Sequence, residues 1–153
     1  MIVKIDPEDV KRLRDETGAG VMDCKRALEQ AKNDLEKAKA ILREQGFDQA
    51  AKKAGRATNQ GVVEAYVHAS KQGALVELNC ETDFVARNDA FRKLAREVAM
   101  QVAGMGTESV DALLEQPYIR DQSKTIRELV TEVAAKTGEN VQIGRIAFFK
   151  IGG

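Results

Sequence analysis

The spacing of apolar residues along the chain changes once, near residue 60. Before that point apolar positions recur every three or four residues, which is the period of an α-helix with one buried face. From residue 61 they alternate with other positions, which is typical of a β-strand with one face against a core. The pattern therefore predicts a helical first part and a mixed second part, an α+β chain.

Three helices are predicted in residues 1–46. The first begins at Asp6-Pro7, because aspartate caps helices and proline suits the first helical position, and it ends in the glycines of Thr17–Gly20. The second runs from about Asp23 to Lys32, and the third follows an Asn33-Asp34 turn and ends at Gly46. Their predicted inner faces carry mostly small side chains: Cys24, Ala27, Leu28, Ala31, Leu35, Ala38, Ile41 and Leu42.

The second part has the pattern β-β-α-α-β, after an expected linker over residues 47–59. Residues 61–70 and 74–80 form a predicted β-hairpin around a Lys71–Gly73 turn, and residues 141–151 form the last strand. Two helices lie between them, one from Phe91 to Val102 and one that follows a Thr125/Glu128 capping box, with a short helix at 109–115. We expect residues 60–153 to be a core domain with a three-stranded antiparallel sheet packed by helices.

The last strand is expected to be apolar on both faces. Strict alternation puts Ile143 and Phe149 on one face and Ile146 and Phe148 on the other, and Tyr66 of the first strand faces outward with the second set. A strand covered by helices on one side needs only one apolar face. Either a second copy of the chain covers the outer face, or the surface carries scattered apolar side chains, as many surfaces do.

Composition excludes several classes of function. Lys+Arg and Asp+Glu are both 24, so the chain lacks the basic surplus of a nucleic-acid binder. No segment approaches the roughly 18 uncharged apolar residues of a membrane span, and the N-terminal apolar run is too short for a signal peptide. Cys24 and Cys80 are expected to be reduced, buried thiols of a cytoplasmic protein.

Residues that could perform covalent chemistry are few. His68 is the only histidine, no cysteine or histidine cluster could hold zinc, and Gly18–Gly20 lacks the strand and lysine of a phosphate-binding loop. Glu81 and Asp83 are expected to cap the helix that follows them. We therefore predict no enzyme activity, no metal site and no cofactor.

Two pairs of apolar residues remain that the helical stripes do not absorb. Val21-Met22 either packs under the glycine turn or faces a partner, for which flexible methionine is suited. Phe84-Val85 stands in an otherwise polar turn. It forms either a hydrophobic staple on the next helix or an exposed contact site.

Two long motifs resemble those of a known family. Thr17–Leu28, TGAGVMDCKRAL, and Val76–Asn88, VELNCETDFVARN, resemble the two signatures of bacterial elongation factor Ts, in the same order and separation. The resemblance extends from about Val10 to the end of the chain and includes Gly138–Asn140.

This resemblance implies a guanine-nucleotide exchange factor for elongation factor Tu that acts by protein–protein contact. The first unit is implied to be similar to ubiquitin-associated (UBA) domains and to dock on the nucleotide-binding domain of the GTPase. The residues implied to meet it there are Leu13, Arg14, Val21 and Met22. The loop implied to reach the site of GDP and magnesium contains Thr82, Asp83, Phe84 and Val85, with Phe84 as the wedge.

The chain is similar to short members of the family. Longer members have two related core subdomains and a helical hairpin, whereas here about a dozen residues, Gly104–Gln116, separate the two core helices. A homodimer through the outer sheet face would supply the second core. An alternative function is that of an adaptor, in which the first unit binds a partner and the core is only a scaffold; such a protein has no use for Phe84.

Overall fold

A computed structural model describes residues 4–153, and the first three residues of the predicted N-terminal unit lie outside it. Over residues 4–153 the chain forms seven helices and five strands. In chain order they are α1 (Pro7–Thr17), α2 (Val21–Gln30), α3 (Leu35–Lys53), β1 (Gln60–His68), β2 (Gln72–Cys80), α4 (Asp83–Ala86), α5 (Asp89–Met105), α6 (Val110–Glu115), β3 (Pro117–Tyr118), β4 (Asp121–Thr125), α7 (Ile126–Thr137) and β5 (Gln142–Lys150).

The N-terminal helices form where the capping signals predict them. The Asp6 carboxylate accepts a hydrogen bond from the Glu8 N–H at 2.9 Å, and Gly18 ends α1 in the left-handed conformation with φ of 74°. Asp34 caps α3 in the same way. Helix α2 begins at Val21, two residues earlier than predicted. The predicted small side chains do bury a core around Leu13, formed by Cys24, Ala27, Leu28, Ala31, Ala38 and Leu42.

Helix α3 does not end at Gly46, so that prediction is wrong. The helix continues to Lys53, and the first half of the expected linker is therefore helical. A Cβ atom at position 46 would lie 3.1 Å from Cγ2 of Thr131, which shows that this glycine lets α3 approach α7 closely. A glycine inside a helix costs only about 1 kcal/mol, which the packing outweighs. The domain division at residues 46 and 59 stays a prediction.

Strands β1, β2 and β5 form the predicted three-stranded antiparallel sheet, in the order β1-β2-β5. The hairpin turn lies two residues earlier than predicted: it consists of residues 69–71, so only Lys71 of the predicted turn belongs to it, and Ala69 and Ser70 have φ of 52° and 57°. Gly73 lies instead within β2, opposite Val67 of β1. The sheet is covered on one face by α5, whose buried stripe includes Phe91, Leu94 and Val98, with α7 beyond it.

Strand β5 contains a bulge that corrects the predicted faces. Val76 pairs with Ile146 but Leu78 pairs with Ile143, so two steps along β2 match three along β5. The extra residue brings three apolar side chains to the core face, where strict alternation had placed them on opposite faces: Ile143, Ile146 and Phe148. Tyr66 also packs against this core, and only Phe149 of the predicted set faces outward.

A small hairpin, β3–β4, was not predicted, because its five-residue second strand is polar and its first has two residues. It is attached to α5 by the buried side chain of Gln101. The Gln101 carbonyl oxygen accepts from the Ile119 N–H at 2.9 Å, and its amide donates to the Pro117 carbonyl at 3.0 Å. A buried amide with both groups satisfied fixes the position of the hairpin.

Candidate functional site

The one-turn helix α4 carries the aromatic residue that the sequence singles out. The Thr82 hydroxyl caps this helix by accepting a hydrogen bond from the Val85 N–H at 3.3 Å. Val85 and Ala86 are buried in the sheet core, whereas the Phe84 side chain is 78% exposed. Adjacent helical residues point in different directions, so the buried pair anchors α4 while Phe84 points into solvent.

These positions decide between the alternatives for this turn. Phe84 is not a hydrophobic staple, because a staple packs against the following helix and this ring is exposed. The expected capping role of Glu81 and Asp83 is wrong. Thr82 caps α4, and Asn88 caps α5 by accepting from the Ala90 and Phe91 N–H groups at 2.8 and 3.3 Å.

Asp83 and Arg87 flank the exposed ring on the surface of α4. The Arg87 guanidinium donates to the Asp83 carboxylate at 3.0 Å, and its central carbon lies 5.8 Å from the centre of the Phe84 ring. Both side chains of this ion pair are more than half exposed, so it adds little stability. Its effect is local, since it holds a cation beside the face of the ring.

The base of this turn is tied to the segment that follows α7. One oxygen of the Glu139 carboxylate accepts from the N–H groups of Glu81 and Thr82, both at 3.0 Å, and the other accepts from the Thr82 hydroxyl at 2.6 Å. Glu81 makes the reciprocal contact by accepting from the Asn140 N–H at 2.6 Å. We call these residues, Glu81, Thr82, Glu139 and Asn140, the crossed clamp.

The crossed clamp also reaches the segment after α3. The Asn140 side-chain amide donates to the Arg56 carbonyl at 2.9 Å, and the Arg56 guanidinium lies 3.5 Å from the Glu81 carboxylate. The chain that connects the N-terminal helices to the sheet is therefore held next to the base of α4. Sequence reasoning missed Arg56 and the roles of Glu139 and Asn140, because no local pattern indicates a contact between positions that are distant in the chain.

A second exposed apolar pair lies at the start of α2. Val21 is 46% and Met22 60% exposed, so neither is fully packed under the glycine turn, and Arg14 is exposed nearby. Leu13 is fully buried in the helical core, which corrects its expected place on the surface. It supports this surface from below. No side chain caps α2, whose N-cap residue is Gly20.

The outer face of the sheet carries an exposed apolar group, the outer sheet patch. Val63, Val67, Leu75 and Phe149 are all exposed, and Phe149 is the most exposed of them at 76%. Leu75 pairs with Ala65 of β1 on one side and with Ala147 of β5 on the other, so its two cross-strand neighbours on this face are small. A contiguous group of exposed apolar side chains is typical of a surface that meets a partner.

Both cysteines are free and buried, as predicted. Burial, together with the nearby carboxylates of Glu139 and Glu81, raises the pKa of the Cys80 thiol to about 11. Burial also raises the pKa of Cys24. Neither thiol is therefore a reactive nucleophile at neutral pH. Within residues 4–153 no group of three or more histidine, cysteine or acidic side chains could hold a metal ion.

A cavity of about 610 Å³ lies where the N-terminal helices meet α7 and β4. Two contacts cross the joint, one from Lys124 to a main-chain carbonyl of α1 and one ion pair between Arg43 and Glu128. The Lys124 ammonium donates to the Glu16 carbonyl at 3.0 Å and lies 2.9 Å from the Glu132 carboxylate, and Arg43 lies 3.3 Å from Glu128. Burial raises the pKa of Glu132, and Lys124 opposes that shift. These contacts explain the polar lining of the cavity, which lies at the joint between the N-terminal helices and the second part of the chain.

No helix in the described part of the chain is long and apolar enough to span a membrane. Three separate surfaces on the described chain expose apolar side chains that could bind a partner: Phe84 on α4, Val21-Met22 on α2, and the outer sheet patch.

Comparison with known proteins gives a consistent result. The family model described as Elongation factor TS matches residues 81–153. A protein named Elongation factor Ts from Coprothermobacter proteolyticus is 42% identical over 196 aligned positions, covering 98% of this chain and 100% of that protein. One of the same name from Leptospira biflexa is 43% identical, covering 97% of this chain and 98% of that protein.

This chain covers only about half of a longer relative. The Elongation factor Ts of Clostridium botulinum is 47% identical over 144 residues, which cover 94% of this chain and 47% of that protein. The alignment of 196 positions with the Coprothermobacter protein exceeds the 153 residues of this chain, so it includes positions where this chain has no residue.

Proposed function

The chain belongs to the elongation factor Ts family, and on that premise we propose that it is a guanine-nucleotide exchange factor that speeds the release of GDP from elongation factor Tu. The observation that supports this function most directly is Phe84, which is 78% exposed on a short helix with two buried anchor residues. An exposed aromatic ring on a firmly anchored element loses little freedom on binding. Such a ring is suited to displacing part of another protein.

The mechanism needs no covalent chemistry. A GTPase holds GDP through a loop around the phosphates and a magnesium ion that neutralises their charge. Phe84, with Thr82 and Asp83 beside it, inserts next to a switch element of the GTPase and shifts the groups that hold the ion. Loss of the ion removes a large local charge from the phosphates, so GDP leaves faster. Val85 is the anchor of this loop and not a contact residue, because it is buried.

Release of the factor follows from thermodynamic linkage. If the bound factor weakens nucleotide binding, nucleotide weakens binding of the factor by the same ratio. GTP rebinding therefore ejects the factor and completes exchange. About 1.4 kcal/mol removed from nucleotide binding corresponds to a tenfold change in affinity. One aromatic side chain buried against the GTPase, together with the loss of the ion, can weaken nucleotide binding by several factors of ten.

The N-terminal helices are the docking unit in this proposal. Val21, Met22 and Arg14 form the contact surface, in a unit similar to UBA domains, and Leu13 keeps the helices beneath it in place. Methionine adapts to irregular partner surfaces, which suits a contact that must hold several states of the GTPase. Docking and displacement are thus carried by different helices of this chain.

A homodimer through the outer sheet patch completes the proposal. Val63, Val67, Leu75 and Phe149 of one copy would cover the same residues of the other. Two antiparallel sheets that pack face to face exclude water from both patches. The pair would present two copies of α4.

The decisive test of function follows GDP release directly. Elongation factor Tu loaded with fluorescently labelled GDP is mixed with excess unlabelled GDP, with and without this protein, and the loss of signal is timed. We expect release to accelerate with protein concentration and then to saturate. An unchanged release rate, with binding still detected, would indicate an adaptor and sink the proposed function.

A further inference from the structure

The Glu139 carboxylate has an unusual set of partners for a half-buried acid. It accepts three hydrogen bonds, from the N–H groups of Glu81 and Thr82 and from the Thr82 hydroxyl. All three come from the short segment between β2 and α4. Hydrogen bonds to a charged acceptor are shorter and stronger than neutral ones, so this carboxylate determines where that segment lies.

The sheet does not satisfy the N–H groups of this segment. Sheet pairing ends at Cys80 on the β1 side and at Asn79 on the β5 side, so Glu81 and Thr82 leave the sheet without strand partners. An unpaired N–H group shielded from water is costly. Glu139 satisfies both, and thereby sets the direction in which the chain leaves β2.

The Thr82 hydroxyl transmits this arrangement to α4. A hydroxyl has one hydrogen to donate and lone pairs to accept with. Because its hydrogen points to Glu139, its lone pairs are directed at the Val85 N–H, the bond that caps α4. Glu139 thus orients the group that begins the helix, and Phe84 is the second residue of that helix.

The reciprocal half of the crossed clamp supports the same geometry. Glu81 accepts from the Asn140 N–H at 2.6 Å, and Asn140 in turn donates to the Arg56 carbonyl. Each segment therefore holds the other, and a change at one alters both. The clamp lies beneath α4 and leaves the exposed face of Phe84 uncovered.

We propose that Glu139 is a positioning residue for the exchange reaction: it holds Phe84 in the orientation that displaces the nucleotide site, without itself contacting the GTPase. The inference rests on the proposed function. Pre-organisation of this kind acts on the rate of displacement more than on docking, which uses α2. The residue is 55 positions away from Phe84 in the chain and belongs to neither contact surface.

The first test compares maximal exchange with docking affinity. In Glu139→Ala the two N–H groups and the hydroxyl lose their acceptor, and we expect the saturating rate of GDP release to fall about tenfold, with docking weakened less than about threefold. Glu139→Gln is expected to be intermediate, because an amide oxygen can accept from the N–H groups but its NH₂ cannot accept from the hydroxyl. Glu108→Ala is the control, since it removes one exposed carboxylate elsewhere.

The second test needs no partner. The chain contains no tryptophan, so Phe84→Trp provides a single fluorescent probe at the site itself. We expect time-resolved anisotropy of the free protein to show a restricted indole, and a clear increase in fast local motion when Glu139→Ala is added. Glu108→Ala in the same background should leave the motion unchanged.

The outcomes separate the two proposals. More local motion together with a selective loss of exchange supports the positioning role. Unchanged motion overturns it, as does an equal loss of docking and exchange. If the unsubstituted protein does not accelerate GDP release, the exchange function fails, while the anisotropy result still decides whether Glu139 holds the α4 turn. Should Glu139→Ala not fold, Thr82→Val against Thr82→Ser makes the same comparison, since only serine keeps the hydroxyl.

Discussion

Helices α2 and α4 each present apolar side chains next to their N-termini, but the two helices are held in different ways. Helix α2 begins after Gly20, without a side-chain cap, and presents the flexible Met22. Helix α4 is capped by Thr82, fixed from behind by Glu139, and presents the stiff ring of Phe84. An adaptable contact suits docking, whereas a rigid one suits displacement. Exposure alone therefore does not distinguish a docking residue from a displacing one, whereas the support beneath the residue does.

Removal of the rigid contact, Phe84, is expected to have the largest effect. Phe84→Ala is expected to lower the saturating rate of GDP release from elongation factor Tu by at least about 30-fold, as for other central aromatic contacts. Docking, measured by calorimetry with the nucleotide-free GTPase, should weaken only a few-fold. Ile119→Ala, which truncates an exposed apolar residue elsewhere, should change neither. Equal losses in rate and docking would contradict the division of tasks.

Removal of the adaptable contact should have the opposite signature. The double variant Val21→Ala/Met22→Ala is expected to weaken docking about tenfold, because it removes two exposed apolar side chains from the contact surface. The saturating rate of release should remain that of the unsubstituted protein. Glu29→Ala, an exposed change on the same helix, is the control. A lower saturating rate with unchanged docking would assign displacement to α2 as well.

The support beneath α4 can be weakened while Phe84 itself is left unchanged. Thr82→Val keeps the shape of the side chain but removes the cap and the bond to Glu139, and is expected to lower the free energy of unfolding by about 1–2 kcal/mol. Thr82→Ser keeps the hydroxyl and should be close to unchanged. Urea unfolding followed by circular dichroism measures both. If the Thr82→Val and Thr82→Ser variants had the same free energy of unfolding, the hydroxyl would not hold the turn.

The missing cap of α2 can be added. Gly20 has φ of −65° and ψ of 157°, which other residues adopt readily, and a Cβ atom there would meet only the Asp23 carboxylate, at 3.6 Å. Gly20→Ser is therefore expected to raise the free energy of unfolding by about 0.5–1 kcal/mol. Gly18→Ser should do the reverse, because Gly18 has φ of 74° and lies against Lys136. Thermal melting distinguishes the two.

The two buried thiols report on the two regions separately. At neutral pH neither should react quickly with a thiol reagent, but Cys24 should react a few times faster than Cys80, because the helical unit has the smaller core and opens more easily. Mass spectrometry after timed labelling measures this difference in reaction rate.

The raised pKa of Cys80 also makes the free energy of unfolding depend on pH in the alkaline range. The stabilisation from keeping this thiol neutral is complete below pH 9 and is lost as pH rises toward 11, because the thiol of the unfolded chain ionises first. Cys80→Ala should remove this pH dependence.

Local signals in the sequence are sufficient for most helices. Asp6-Pro7 and Thr125 begin helices where their capping chemistry predicts, and Gly18 and Gly138 end them in the left-handed conformation. At these ends the deciding interaction lies within about four residues, which is the range that a local pattern describes. The same pattern singles out Phe84 in a polar turn but does not distinguish a hydrophobic staple from an exposed ring, which only the structure does.

What sequence reasoning missed depends on contacts between distant segments. Gly46 has the sequence pattern of a helix end, because its close contact with Thr131 of a distant helix is not visible locally. Leu13 lies on the apolar face that the pattern gives α1, and its burial agrees with that pattern and not with the partner contact that the family resemblance implies. The bulge in β5 arises from pairing with β2, and the crossed clamp joins residues 57 to 59 positions apart. Periodicity carries no information about such neighbours.

The bulge in β5 makes the length of that strand as important as its composition. With the extra residue present, Ile143, Ile146 and Phe148 all point toward α5 and α6. If one residue between Ile143 and Ile146 were deleted, the bulge would disappear, and regular alternation would still place both side chains on the core face. If Ala147 were deleted instead, Ile146 and Phe148 would become adjacent and point to opposite faces. An alignment gap at the bulge is therefore compatible with the same core, whereas a gap one position beyond Ile146 would move a large apolar side chain from the interior into water.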